Sequence, residues 1–237
     1  MIPKYIFQDI EKEEETQIHD NKANLLRIRV PQAYVEGVKL TPGTEHVLLP
    51  SFACLILGKP SSGKSHIIAE FLDQPAFYNK KFDRIIYVGP SKYKGVVHDE
   101  YNTVSSFDMK FIDKRIAECK DWASNMLIVM DDVISQMPTT QKSRAQELFF
   151  NRRHELKNGT ISIIVTSQKL TSVPTWIRSS INCIIAFSIP KCEIKVLFNE
   201  IPLISNVLEI KNTFESLTRH QFIFFNLERG KAFDSNF

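Results

Sequence analysis

From residue 52 onward, short apolar runs alternate with longer amphipathic or polar segments. FACLIL (52–57), RIIYVG (84–89), MLIVMD (126–131), ISIIVTS (161–167) and INCIIAF (181–187) are rich in β-branched residues and apolar at consecutive positions. Such runs predict strands buried on both faces. The intervening segments are long enough for helices or crossover loops, so the pattern predicts an α/β protein with a mostly parallel sheet covered on both sides. A late run, QFIFFNL (221–227), predicts one more strand. SRAQELFFNRRHELKNG reads as a helix with Gly159 as its stop, and KCEIKVLFNEIPLISNVLEIKNTFESLTRH as two amphipathic helices split at Pro202.

The first 26 residues behave differently. EKEEETQIHDNKAN is polar and acid-rich with no period that could bury a face, which predicts a flexible acidic arm over residues 1–26. Residues 27–50 carry short apolar runs broken by Pro31, Gly37, Pro42 and Gly43, a small β-rich lead-in to a single domain over residues 27–237.

One junction in this pattern carries chemistry. Between the FACLIL strand and the following helix lies Gly58-Lys59-Pro60-Ser61-Ser62-Gly63-Lys64-Ser65, which fits G-x-x-x-x-G-K-[ST] without a mismatch. In that strand–loop–helix context it reads as a Walker A loop. Its backbone N–H groups and the helix N-terminus would cradle phosphates, Lys64 would reach the β- and γ-phosphates, and the Ser65 hydroxyl would ligate Mg²⁺. The bland reading is a Gly/Ser turn entering a helix.

A second junction supplies carboxylates. Leu127 to Met130 precede Asp131 and Asp132, placing both at the C-terminal end of a buried strand, where α/β sites collect. This looks like a Walker B motif, with Asp131 holding Mg²⁺ directly or through water and Asp132 as the base toward the attacking water. Asp132 is one methylene shorter than the Glu many ATPases carry there, and a helix N-cap or turn is the other role such a pair can fill. The stretch after the loop has no Arg cluster of a kinase lid, and no N-K-x-D guanine clamp occurs, so ATP is the expected nucleotide.

Composition changes this picture little. A formal charge of +3 permits nucleic-acid contact without requiring it. Loop-like basic stretches at 79–84, 91–95 and 139–144, with Tyr78, Tyr87 and Tyr93 nearby, are the candidate DNA contacts; solvated surface is the alternative. Cys54, Cys119, Cys183 and Cys192 form no C-x-x-C pair, so neither disulfides nor zinc are expected. The histidines show no metal-ligand spacing. The N-terminus lacks a signal-peptide pattern, and no run approaches the ~18 apolar residues of a membrane span. A soluble intracellular protein is the expectation.

The segment after Asp132 narrows the class. RRHELKNG, the polar strand tip Thr166-Ser167-Gln168, a proline-marked turn and IRSSIN (177–182) resemble the FtsK/HerA superfamily of DNA-pumping ATPases. Within it, the chain is most similar to the genome-packaging ATPases of poxviruses, other nucleocytoplasmic large DNA viruses and virophages, over residues 50 to 230. The resemblance implies a P-loop NTPase three-layer sandwich of the additional-strand (ASCE) type. It also implies an ATP- and Mg²⁺-dependent motor that moves double-stranded DNA into a preformed capsid. Such a motor would work as a homo-oligomeric ring, a pentamer or hexamer, docked on a capsid or portal-vertex protein, in host cytoplasm or virion. Gln168 then looks like the polar sensor of the γ-phosphate, and Arg153 and Arg178 look like candidates for an arginine finger given to a neighbouring subunit. Turn capping by Gln168, and helix-end capping by Arg152 and Arg153, are the plainer alternatives. A P-loop small-molecule or nucleotide kinase remains the competing function.

Overall fold

The computed structural model describes residues 4–5, 48, 50–74, 77–90, 102–200, 207–228 and 231–234. Most of the acidic arm and of the lead-in, the stretch 91–95 with Tyr93, and Pro202 lie outside the described residues. Nine strands form one sheet among the described residues. In chain order they are β1 (Lys4–Tyr5), β2 (Ala53–Leu57), β3 (Arg84–Val88), β4 (Thr103–Val104), β5 (Asn125–Asp131), β6 (Thr160–Ser167), β7 (Cys183–Phe187), β8 (Phe222–Asn226) and β9 (Lys231–Asp234). The spatial order is β1-β9-β8-β7-β2-β6-β5-β3-β4. Pairing from β4 through β7 is parallel, while β8, β9 and β1 extend the β7 edge antiparallel. Strand β6 is thus inserted between β2, which leads into the glycine-rich loop, and β5, which ends in the two aspartates: this is the additional-strand arrangement.

The pleat sorts the central strands into two cores, since successive side chains point to opposite faces. Leu55, Leu57, Ile128, Met130, Ile163 and Val165 pack on one side, Cys54, Ile56, Leu127, Val129, Ile164, Cys183 and Ile185 on the other. Helix α1 (Lys64–Asp73) covers the second face with Ile67, Ile68 and Leu72. The first face is covered by α2 (Met109–Cys119), α3 (Lys142–Asn151), the short α4 (Thr175–Arg178) and α5 (Lys191–Glu200), with Phe214 of α6 (Val207–Ser216) packed into the same core. Side chains of this kind each contribute about 1.5–3 kcal/mol on full burial, so both faces anchor the central strands.

One local reading changes. Gly159 does not stop α3, which ends at Asn151. A Cβ at Gly159 would lie 2.3 Å from the Ser124 carbonyl oxygen and 2.6 Å from that of Ala123, so the glycine lets the chain cross that turn on its way into β6. The helix end is instead held by Arg152, which is buried and donates to the Phe149, Ser51 and Asn182 oxygens at 2.8, 2.8 and 2.6 Å. Burial, and then neighbouring Arg153, lower its pKa.

A candidate nucleotide site at the strand C-terminal ends

The loop Gly58–Ser65 leaves β2 and curls back on itself. Ser62 N donates to the Lys59 carbonyl at 3.2 Å, and Ser61 and Gly63 take positive φ of 61° and 113°. Only glycine adopts the Gly63 conformation without strain, and this residue opens α1. No side chain caps α1, in contrast to α2, where the Asp108 carboxylate accepts from Lys110 N and Phe111 N. The first N–H groups of a helix have no intrahelical partner, so an uncapped start faces an anion favourably. Lys64, 7% exposed, folds over the loop and donates to the Gly58 carbonyl at 2.8 Å. Ser62 Oγ is buried inside the loop with no hydrogen-bond partner among the described residues.

Strand register brings the acidic pair alongside. Asp131 lies directly opposite Thr166 in the β5–β6 ladder, and Tyr87 lies opposite Val129 in the β3–β5 ladder, so Tyr87 and Asp131 share a face. The buried Asp131 carboxylate accepts one hydroxyl on each oxygen, Thr166 Oγ1 on Oδ1 and Tyr87 OH on Oδ2, both at 2.5 Å. Thr166 Oγ1 in turn accepts the backbone N–H of Asp132 at 3.0 Å. Asp132 has φ 53°, uncommon for a residue with a side chain, and the threonine hydroxyl holds it there. Its carboxylate is thereby aimed over the loop, with Oδ2 3.8 Å from Lys64 Nζ and 3.5 Å from Gln168 Nε2.

Lys64, Asp132 and Gln168, 104 positions apart in sequence at their extremes, therefore converge at one mouth. The two arginines do not join them within the chain. Arg153 sits where the parallel strands begin, 3.8 Å from Glu228 and beside Arg152, whose carbonyl accepts from Ile161 N near the start of β6. The eight residues of β6 put about 25 Å between that end and the mouth, at ~3.3 Å per residue. Arg178 closes α4, paired with Glu200 and donating to Thr175 Oγ1 at 3.1 Å.

Several expected DNA contacts are otherwise employed. Tyr78 and Tyr87 are buried, the first donating to the Leu48 carbonyl at 2.6 Å and the second to Asp131, so neither faces a channel. Burial raises the Tyr78 pKa well above its ordinary value. Arg144 makes a fork to Glu155 at 2.7 and 2.9 Å and reaches Asp113 at 2.9 Å; these hydrogen bonds, with Glu155 first, raise its pKa. Arg84 donates to Asn102 Oδ1 at 3.0 Å and lies over the Trp122 ring. Sequence reasoning missed Tyr87 as a site residue because its link to Asp131 depends on strand pairing, which no local motif announces.

The inserted strand β6, the glycine-rich loop on β2 and the aspartate pair on β5 define a P-loop NTPase fold of the additional-strand type. Solved structures agree on that fold. The chain is similar to the DNA-packaging ATPase B204 from Sulfolobus turreted icosahedral virus, at 17% identity and a TM-score of 0.59 over 80% of this chain and 100% of that one. It is similar also to the genome-packaging NTPase B204 from Sulfolobus turreted icosahedral virus 2 in complex with AMPPCP, at 14% identity and a TM-score of 0.60 over 80% and 99%. A third likeness is to the cytoplasmic domain of the type VII secretion ATPase EccC of Thermomonospora curvata, at 13% identity and a TM-score of 0.51, over 78% of this chain and 24% of that one. No protein-family model matches the chain, and no curated protein sequence matches it. At these identities the likeness is one of fold.

Proposed function

We propose that the chain is an ATP-hydrolysing motor that moves double-stranded DNA into a preformed viral capsid. The observation that carries the hydrolytic part is the convergence of Lys64, Asp132 and Gln168 over an uncapped helix start. The DNA-moving part is supported by the likeness to two viral packaging enzymes over four-fifths of the chain.

The residues present fit a magnesium nucleotide. Lys64 and the α1 N-terminus supply positive potential, and the orphaned Ser62 hydroxyl is a donor that a phosphate oxygen would satisfy. Mg²⁺ asks a protein for only one or two hard oxygens beside phosphates and water, and Ser65 with Asp131 would hold it. Each Asp131 oxygen accepts one hydroxyl and keeps a further lone pair, so the carboxylate would hold the ion directly or through water. A bound magnesium ion supplies charge neutralisation on the β- and γ-phosphates. Asp132, partly exposed and aimed over the loop, orients the attacking water and takes its proton, while Lys64 steadies charge on the γ-phosphate. Gln168, in reach of Asp132, contacts that water or the γ-phosphate and reports its state to the DNA-facing side.

Arg153 and Arg178 serve this chemistry only across a subunit boundary, as a finger given to the neighbour in a pentameric or hexameric ring. A capsid or portal-vertex protein would dock that ring. No helix among the described residues is long and apolar enough to cross a membrane.

Purified protein with Mg²⁺ and γ-labelled ATP tests the reading against a kinase. The expected product is inorganic phosphate, together with a ring-sized mass in the presence of a slowly hydrolysed ATP analogue. Label transferred to a small-molecule acceptor by a monomer or dimer would refute it.

A further inference from the structure

The glycine-rich loop has a second flank, built from the far end of the chain. His220, in the turn between α6 and β8, lies with Nδ1 3.1 Å from the Ser62 carbonyl oxygen. A carbonyl only accepts, so Nδ1 carries the proton in this contact, and the residue is exposed. The turn is fastened by Thr218 N donating to Gln221 Oε1 at 2.8 Å and Gln221 N to the Thr218 carbonyl at 3.2 Å. His220 itself has φ 71°, a conformation that costs free energy in a residue with a side chain. A Cβ at Gly63 would lie 3.3 Å from His220 Nδ1 and 3.2 Å from Phe187 Cε1, so the imidazole lies against the loop backbone with Phe187 beside it.

Strand order fixes which flank this is. With β8-β7-β2-β6-β5 in sequence across the sheet, Asp132 and Gln168 stand on one side of the loop and His220 on the other. A triphosphate whose last phosphate met Lys64 between Asp132 and Gln168 would run along the loop and the start of α1, and its nucleoside would leave on the flank away from the carboxylates, toward His220. Arg219 adjoins it there, exposed and without an ion-pair partner among the described residues.

We propose that the Arg219–His220 turn is the nucleoside wall of the site, taking the face of the base against the imidazole and guanidinium planes. Contact with a π-face is tolerant of base identity, so the wall distinguishes a nucleoside triphosphate from bare polyphosphate more than adenine from guanine. The proposal rests on the reading of Gly58–Ser65 as a triphosphate cradle.

Calorimetric titration of the full chain with Mg²⁺ and either a slowly hydrolysed ATP analogue or tripolyphosphate separates the two. The variants are Arg219→Ala and His220→Asn; Asn tolerates positive φ and keeps a donor for the Ser62 carbonyl. Each is expected to weaken the ATP analogue about five- to tenfold, the range of an exposed stacking contact, with tripolyphosphate affinity unchanged. Unchanged binding of the ATP analogue would overturn the proposal. So would an equal loss for tripolyphosphate, which would make the turn a prop for the loop. Wild-type protein that binds neither ligand would refute the cradle itself.

Discussion

Thr166 fixes Asp132 through the backbone: its hydroxyl accepts the Asp132 N–H at 3.0 Å while donating to Asp131 at 2.5 Å. One side chain on the inserted strand therefore sets the conformation of both aspartates at the end of the neighbouring strand. Replacing it with Val, nearly the same shape, removes a donor from a buried carboxylate and the partner of a left-handed amide. The expected cost is about 1–3 kcal/mol of stability, read by thermal or urea unfolding. ATP turnover should fall at least about tenfold with ATP affinity nearly kept, as for a loss felt mainly in the transition state. Thr166→Ser, which retains the hydroxyl, should recover most of both.

Tyr87 holds the other oxygen of Asp131. Tyr87→Phe deletes that hydroxyl and leaves the ring in its core, so the fold should survive with a loss of about 1–2 kcal/mol. The Mg²⁺ concentration for half-maximal turnover should rise while the affinity for metal-free ATP stays. An unchanged Mg²⁺ dependence would separate Tyr87 from the site.

Asp132 and Lys64 should part in their effects. Lys64→Ala removes the cation that folds over the loop and should abolish both ATP binding and turnover. Asp132→Asn keeps size and polarity and should leave binding intact while lowering turnover by about 10²–10⁴, the usual worth of a general base. Equal turnover in that variant would move the base elsewhere.

Arg144 offers a control for DNA contact. Its fork to Glu155 and its pair with Asp113 assign it to the fold. Arg144→Met should lower the unfolding midpoint but leave DNA affinity and its slope against salt unchanged; a slope reduced by about one would return the residue to the DNA surface.

Thiol labelling tests the packing. Cys54, Cys119 and Cys183 are buried and Cys192 is exposed. Burial raises the pKa of Cys119 and of Cys183, so both hold less of the reactive thiolate. Alkylation followed by peptide mass measurement should modify Cys192 alone until denaturant is added.

The central strands were legible because β2, β3, β5, β6 and β7 are buried on both faces, and short apolar runs rich in β-branched residues favour a strand over a buried helix. The glycine-rich loop and the aspartate pair were legible because phosphate and metal chemistry constrains residue type at fixed spacing. The short strands β4 and β9 carry too few residues for a period, and pairing with a neighbour is what makes them strands. Tyr87, Thr166 and His220 owe their places to register and to a turn 158 residues from its partner Ser62, information that resides in contacts rather than in local pattern. Arg144 looked like a free loop cation in sequence because its carboxylate partners are supplied by other elements.

If ATP turnover drives movement along duplex DNA, the duplex should accelerate turnover. Steady-state phosphate release, measured with and without long double-stranded DNA at one salt concentration, addresses it directly. Several-fold faster release is expected with duplex DNA, lost in Lys64→Ala. The same rate with and without duplex would contradict it.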